Sequence, residues 1–256
     1  RVTDQRFLTE AGEPRAFIIV TSARSGSNLL VTYLRQVAQA ACFGEILRSE
    51  FPDRIGWDKL VRRLDMPGDA RALHENDLTR FWELFLERGL RRRRWVGAKI
   101  FYYHRREDPI WERFAAEDHR VIHLWRDATF DQYVSRELAA MSGEWKAPDG
   151  TSDGASQPQV TFDVDDYLAY RALLRTDVVA ARTRFADSGR YEEIEYRQLS
   201  DHAFVADLLE RLFGDRVEVQ EVLRRQRSGP KIQFLANPSV AAPYVDDSIT
   251  AGFSRA

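Results

Sequence analysis

Between Thr21 and Leu30 the chain reads Thr-Ser-Ala-Arg-Ser-Gly-Ser-Asn-Leu-Leu, small residues with one glycine and one arginine set between an apolar run and a helical pattern. A turn of this composition suits an anion. The amides at the start of a helix lack intrahelical partners, the helix dipole favours negative charge there, and Gly26 lets backbone approach a ligand closely. Arg24 adds a fixed positive charge, and Ser25, Gly26, Ser27, Asn28 and Leu29 complete the turn that would surround the bound group. The phosphate loop of ATP and GTP hydrolases needs Gly-x-x-x-x-Gly-Lys-Ser/Thr; here the first glycine and the lysine are both missing, which weakens that chemistry. A plain strand-to-helix connection is the reading without chemistry.

The segment Arg24-Ser25-Gly26-Ser27-Asn28-Leu29-Leu30 resembles the 5′-phosphosulfate loop of sulfotransferases, in the form found in bacterial carbohydrate sulfotransferases of the trehalose and nodulation-factor type. Further along, Leu124-Trp125-Arg126-Asp127 and then Tyr133-Val134-Ser135-Arg136 resemble the family's second signature. In that signature an arginine and a serine bind the 3′-phosphate of the donor, 3′-phosphoadenosine-5′-phosphosulfate (PAPS). Trp145 after Ser142-Gly143, and Tyr196-Arg197-Gln198-Leu199 ahead of Leu212-Phe213-Gly214, also stand in family order, so the resemblance runs from Phe17 to Gly214. There is one departure: Arg126 and Ser135 are one residue farther apart than is usual in the family, so either the helix start shifts or the serine's role moves. The resemblance implies PAPS as donor, its bisphosphate PAP as product, no metal, a hydroxyl-bearing acceptor that is a carbohydrate or lipid-linked, and a possible homodimer.

A hydroxyl attacks sulfur only if a base takes its proton. The carbohydrate members resembled here use a glutamate in a Gly-Glu context after the first helix, which places the base at Glu45 in Phe43-Gly44-Glu45, with Glu50 in reserve and a solvated surface carboxylate as the bland alternative. Cytosolic relatives place a histidine after a strand lysine, which makes His104 the second candidate, although the spacing here is longer. Lys99 interrupts the apolar run Val96 to Phe101 and needs a partner, because an unpaired buried charge is costly. A bound sulfate or a structural salt bridge would serve equally. Arg91 to Arg94 read mainly as a solvated face, and Arg224, Arg225, Arg227 and Lys231 around Ser228-Gly229-Pro230 correspond only loosely to the segment that cytosolic relatives close over the 3′-phosphate.

Positioning these groups requires strands that alternate with helices. Ala16 to Val20, Trp95 to Phe101, Val121 to Trp125 and Tyr191 to Tyr196 read as strands. Helices are predicted from Asn28 to Gln39, Glu75 to Arg88 with Gly89 as a stop, Asp108 to Glu117, after Arg126-Asp127, and from Asp163 to about Ala186. Ile46 to Gly68 and Gly143 to Gln159 read as acceptor-shaping loops, the second one mobile, and the stretch after Ser228 as partly irregular. Alternation of this kind predicts an α/β fold: a single P-loop-like domain over residues 1–256, with a central parallel sheet flanked by helices.

Composition agrees with a globular chain: 256 residues, 44% hydrophobic, 30% charged, 12% aromatic. Lys and Arg number 38 against 40 Asp and Glu, so no global field recruits nucleic acid. No apolar stretch reaches the length of a membrane span. One cysteine excludes an internal disulfide, and the histidines lack metal-ligand spacing, so a cytoplasmic, metal-free protein is expected.

Overall fold

The computed structural model describes residues 5–104, 107–116, 118–143, 159–187, 190–220 and 230–250. Its frame is a sheet of five strands in the order β2-β3-β1-β4-β5, formed by β1 (Ala16–Thr21), β2 (Ala40–Cys42), β3 (Trp95–Phe101), β4 (His119–Trp125) and β5 (Tyr191–Glu195). Every pairing is parallel. A central parallel strand is covered on both faces and therefore reads as an unbroken apolar run. β1 fits that description, with all six residues buried.

Helices α1 (Ser27–Leu34) and α8 (His202–Phe213) cover one face, closing a core around Phe17, Ile19, Leu34, Ile122 and Leu208. On the other face lie α2 (Ile55–Leu64), α3 (Ala70–Asn76), α4 (Leu78–Leu90), α5 (Ile110–Phe114) and α7 (Val164–Phe185), with Ile18, Phe81, Trp82, Phe85 and Val178 between them. A third cluster joins α6 (Thr129–Ser142) to α7 and to the C-terminal segment that contains α9 (Pro238–Ala241), through Phe130, Tyr133, Phe162, Tyr167 and Phe234.

The strand order places the site. β1 has β3 on one side and β4 on the other, so the connections leaving the sheet diverge at its carboxyl end, the place where open parallel sheets leave a crevice for ligands. The turn 22–26 issues from that end.

Three expectations need correction. Ile46 to Gly68 is not a loop: Trp57, Leu60 and Leu64 recur at helical spacing and bury one face of α2 against α4. Gly89 does not stop its helix. It lies inside α4 where the helix meets β3, and a Cβ there would stand 2.7 Å from Val96 Cγ1, so glycine serves close packing. α1 ends at Leu34 rather than Gln39, because residues 35–39 turn the chain into the short edge strand β2, which carries no alternating pattern to announce it. Residues 144–158 of the expected mobile loop, including Trp145, and Arg224, Arg225, Arg227, Ser228 and Gly229 lie outside the described residues.

Candidate functional site

The turn after β1 is wound by two left-handed residues, Arg24 with φ 63° and Gly26 with φ 87°. Left-handed conformations interleaved in a short turn gather successive amides into an anion-binding nest. Gly26 is also the N-cap of α1; its carbonyl accepts from the Leu29 and Leu30 amides at 2.9 and 3.2 Å, but it has no side chain with which to cap the amides of Ser27 and Asn28. The Ser25 hydroxyl faces inward, 2.8 Å from the Ser22 carbonyl and 2.6 Å from Thr21 Oγ1, which in turn donates to the Leu124 carbonyl. Ser25 thus shapes the turn through its side chain, while any ligand contact would come from its backbone. Leu29 packs against the core beneath α1.

Only glycine fits at position 26. A Cβ there would lie 2.3 Å from Cδ2 of Tyr196, whose ring fills the space. The Arg126 guanidinium sits 4.6 Å above the centre of the same ring. Arg126 Nη2 pairs with Asp131 at 2.8 Å and Nη1 donates to the Arg24 carbonyl at 3.4 Å, while Nε is buried without a hydrogen-bond partner among the described residues. Arg24 Nε donates to Ser135 Oγ at 2.9 Å. Arg24, Arg126 and Ser135, two of them over a hundred positions from the first, therefore meet at one place. Arg126 to Ala128 precede α6, which begins at Thr129, so Ser135 stands in the second turn of that helix.

Lys99 has its partners. From the centre of β3 its ammonium donates to Ser27 Oγ at 3.2 Å and to Asn28 Oδ1 at 3.0 Å, and it pairs with Glu45 Oε1 at 3.1 Å. Its side chain is 3% exposed, whereas that of Glu45 is 24% exposed, so the carboxylate marks where the buried cation opens to solvent. Arg48 holds the other oxygen, Nη1 to Glu45 Oε2 at 3.2 Å, and reaches Glu50 through Nε at 3.3 Å.

His104 is mostly buried beside Phe101 and Tyr103. Burial pushes its imidazole down to about 4, with the nearby Glu45 charge opposing the shift. The Phe101 amide donates to Nδ1 at 3.3 Å, which places the proton of the neutral ring on Nε2. Nε2 is therefore a donor, and only Nδ1, already engaged, has a lone pair. Tyr103 packs one side of its ring against Phe101 and His104 and leaves the rest exposed to solvent. Glu50 is lowered mainly by a hydrogen bond from its own backbone and stands at the exposed edge of the Arg48 pair.

Two further residues shape the site without a role assigned from sequence. Tyr196 follows β5 directly and fills the notch at Gly26. Gln132, fully buried on α6, donates through Nε2 to Ser22 Oγ at 2.6 Å and to the Ala23 carbonyl at 2.7 Å. A signal for Gln132 existed: it lies one helical turn before Ser135, on the same face. By contrast Arg91 and Arg94 stay at the surface, paired with Glu87 and stacked on Trp95. Lys231 lies over Phe234 in a one-turn 3-10 helix. The Cys42 thiol is buried and pushed up to about 12, which leaves it unreactive.

No protein-family model matches the sequence, and no curated protein matches it. Solved structures do. The sulfotransferase domain from the curacin biosynthetic pathway superposes with a TM-score of 0.52 at 16% identity, covering 87% of this chain and 81% of that one. The chain has the sulfotransferase fold. Two further structures align less closely: the sulfotransferase domain of the Synechococcus PCC 7002 olefin synthase (TM-score 0.49, 16% identity, 93% of this chain and 85% of that one) and a sulfotransferase from Alicyclobacillus acidocaldarius (0.48, 18%, 89% and 90%). In this chain the turn after β1 and the start of α6 meet at the carboxyl end of the sheet, through Arg126 and Gln132. Among the described residues no helix is long and apolar enough to cross a membrane.

Proposed function

We propose that the chain is a sulfotransferase that moves a sulfuryl group from PAPS to a hydroxyl of a carbohydrate or small glycoconjugate. The observation that carries this reading is the meeting of the turn after β1 with Arg126 and Ser135. A donor with a phosphosulfate at one end and a 3′-phosphate at the other needs two anion sites side by side, and Arg24 bridges them. The residues fit such a donor: the nest at Arg24 and Gly26 offers amides to one anion, and the buried, unpartnered Nε of Arg126 is a donor left over at the second.

PAPS supplies a sulfuryl group on a phosphate leaving group. The protein's part is to orient, to hold charge and to move one proton. Glu45 is the base in this reading, because its carboxylate lies at the solvent edge of the buried lysine and its two oxygens are oriented by Lys99 and Arg48. When Oε1 accepts the acceptor's proton, Lys99 loses its counter-charge beside Ser27 and Asn28, where negative charge accumulates on the transferring group and its leaving oxygen. The cation is thereby handed from base to transition state without moving far. Neutral His104, carrying its proton on Nε2, suits hydrogen-bond donation to the acceptor better than proton removal.

A small-metabolite kinase and a non-catalytic nucleotide-binding relative are the competing readings. Thermal shift separates the first: PAP should raise the melting temperature and ATP with magnesium should not. Turnover of labelled PAPS against a panel of sugars separates the second. Stabilisation by ATP alone, or donor binding with no transfer to any hydroxyl, would replace this reading.

A further inference from the structure

α6 grips the turn after β1 at consecutive carbonyls. Gln132 Nε2 holds the Ala23 oxygen at 2.7 Å and Arg126 Nη1, just ahead of the helix, reaches the Arg24 oxygen at 3.4 Å. No peptide bond in the described chain is cis. In a trans peptide the carbonyl of one residue and the amide of the next point in opposite directions. Drawing the Ala23 oxygen toward α6 therefore turns the Arg24 amide away from it, and drawing in the Arg24 oxygen does the same for the Ser25 amide.

This orientation is not self-sustaining. Arg24 occupies the left-handed region, which is strained for a residue with a Cβ, so a compensating hold is required. Gln132 supplies it from full burial, and the acceptor at Ala23 requires that the amide nitrogen face the turn. Its Oε1 is left buried with no partner among the described residues. A side chain kept for packing alone would be cheaper as leucine or methionine, because an unpaired buried carbonyl oxygen is destabilising.

We propose that Gln132 is a positioning residue that sets the direction of the Ala23–Arg24 peptide and so keeps the amides of Arg24 and Ser25 aimed at the bound anion. This rests on the turn being the site of the phosphosulfate end of the donor. It also makes α6 a single rigid part serving both anion sites, with Gln132 setting the backbone of one and Ser135, a turn later, standing in the other.

The test uses PAP and amide-resolved NMR of the full chain. In the wild type, PAP should shift the Arg24 and Ser25 amide signals. Gln132→Met, which keeps the volume and removes both donors, should melt within a few degrees of wild type, displace those two signals even without ligand, and bind PAP about 10- to 100-fold more weakly. Wild-type affinity in Q132M, or signals at Arg24 and Ser25 unchanged by the substitution, would overturn the inference while leaving the donor reading intact. If Q132M does not fold, the wild-type titration decides alone: PAP binding without movement of the Arg24 and Ser25 signals overturns the inference. No binding of PAP by the wild type would overturn the donor reading and this inference together.

Discussion

Lys99 and Glu45 form an ion pair, Nζ to Oε1 at 3.1 Å, that spans from the middle of the sheet to the mouth of the crevice, with the same ammonium bonded to the first two residues of α1. The pair links the group proposed to take a proton with the turn proposed to hold the leaving group. Neither residue is explained by packing alone: a lysine in the centre of a buried strand needs partners, and oxygens of Ser27, Asn28 and Glu45 are among those it has.

Removing the proposed base tests the proton step. Glu45→Gln keeps the shape and should lower turnover by about 10²–10⁴-fold while PAP binding stays near wild type, as measured by initial rates and calorimetry. Turnover within threefold of wild type would shift the role to Glu50 or His104.

Removing the cation tests its double duty. Lys99→Met should reduce turnover by about 10²–10³-fold and stability by about 1–3 kcal/mol, because Glu45 keeps only Arg48. Combined with Glu45→Gln it should cost less stability than the sum of the single changes, the coupling expected of residues in direct contact. Additive losses in denaturant unfolding would show that the two do not act as a pair.

Gly26→Ala tests the turn. The new Cβ would collide with the Tyr196 ring and force a residue with a side chain to φ near 87°, a combined cost of about 2–4 kcal/mol. Shortening the ring with Tyr196→Ala in the same chain should recover the steric part, though not the backbone part, and melting curves of the three variants check this. Equal stability of G26A and wild type would mean the turn is looser than described.

Acid should weaken the fold before the carboxylates titrate. His104, His119 and His123 are all lowered by burial, His104 to about 4, so below pH 6.5 the unfolded chain takes up protons that the native chain refuses. Stability is then fully present above about pH 6.5 and falls as pH drops toward 4, by up to about 1.4 kcal/mol per pH unit for each histidine. Asp118 and Glu193, both held low by hydrogen bonds to histidine and arginine, extend the loss further into acid. Denaturant unfolding between pH 7.5 and 4.5 checks the slope, and a flat profile would contradict it.

Much of the frame was legible because parallel strands and amphipathic helices write their period into the chain. β3 occupies Trp95–Phe101 as its apolar run announced, and α7 keeps Tyr167, Leu174, Val178 and Phe185 inward as their spacing required. The edge strand β2 was not legible, since three residues carry no period, and α2 was passed over because Gly56 and its many charges masked the Trp57, Leu60, Leu64 stripe. Arg24, Arg126, Ser135, Lys99 and Glu45, named from motifs, gather around the turn after β1, yet what binds them together came only from the coordinates. That Lys99 faces Glu45, or that Tyr196 fills the missing Cβ of Gly26, depends on contacts between segments dozens to hundreds of positions apart, and no local pattern encodes a partner.

The segment from Pro230 to Thr250 returns to the beginning of α6. Asp127 accepts hydrogen bonds from Ser248 and Thr250, the Thr129 amide donates to the Asp247 carbonyl, and Phe234 and Ala241 complete the cluster around Phe130 and Tyr167. For anyone shortening the gene, this moves the safe cut point. A product ending before this return would keep Arg24, Glu45, Arg126 and Ser135 and lose the buttress under Arg126, so it should express as a protein with an intact sheet and an unsteady guanidinium at the proposed donor site.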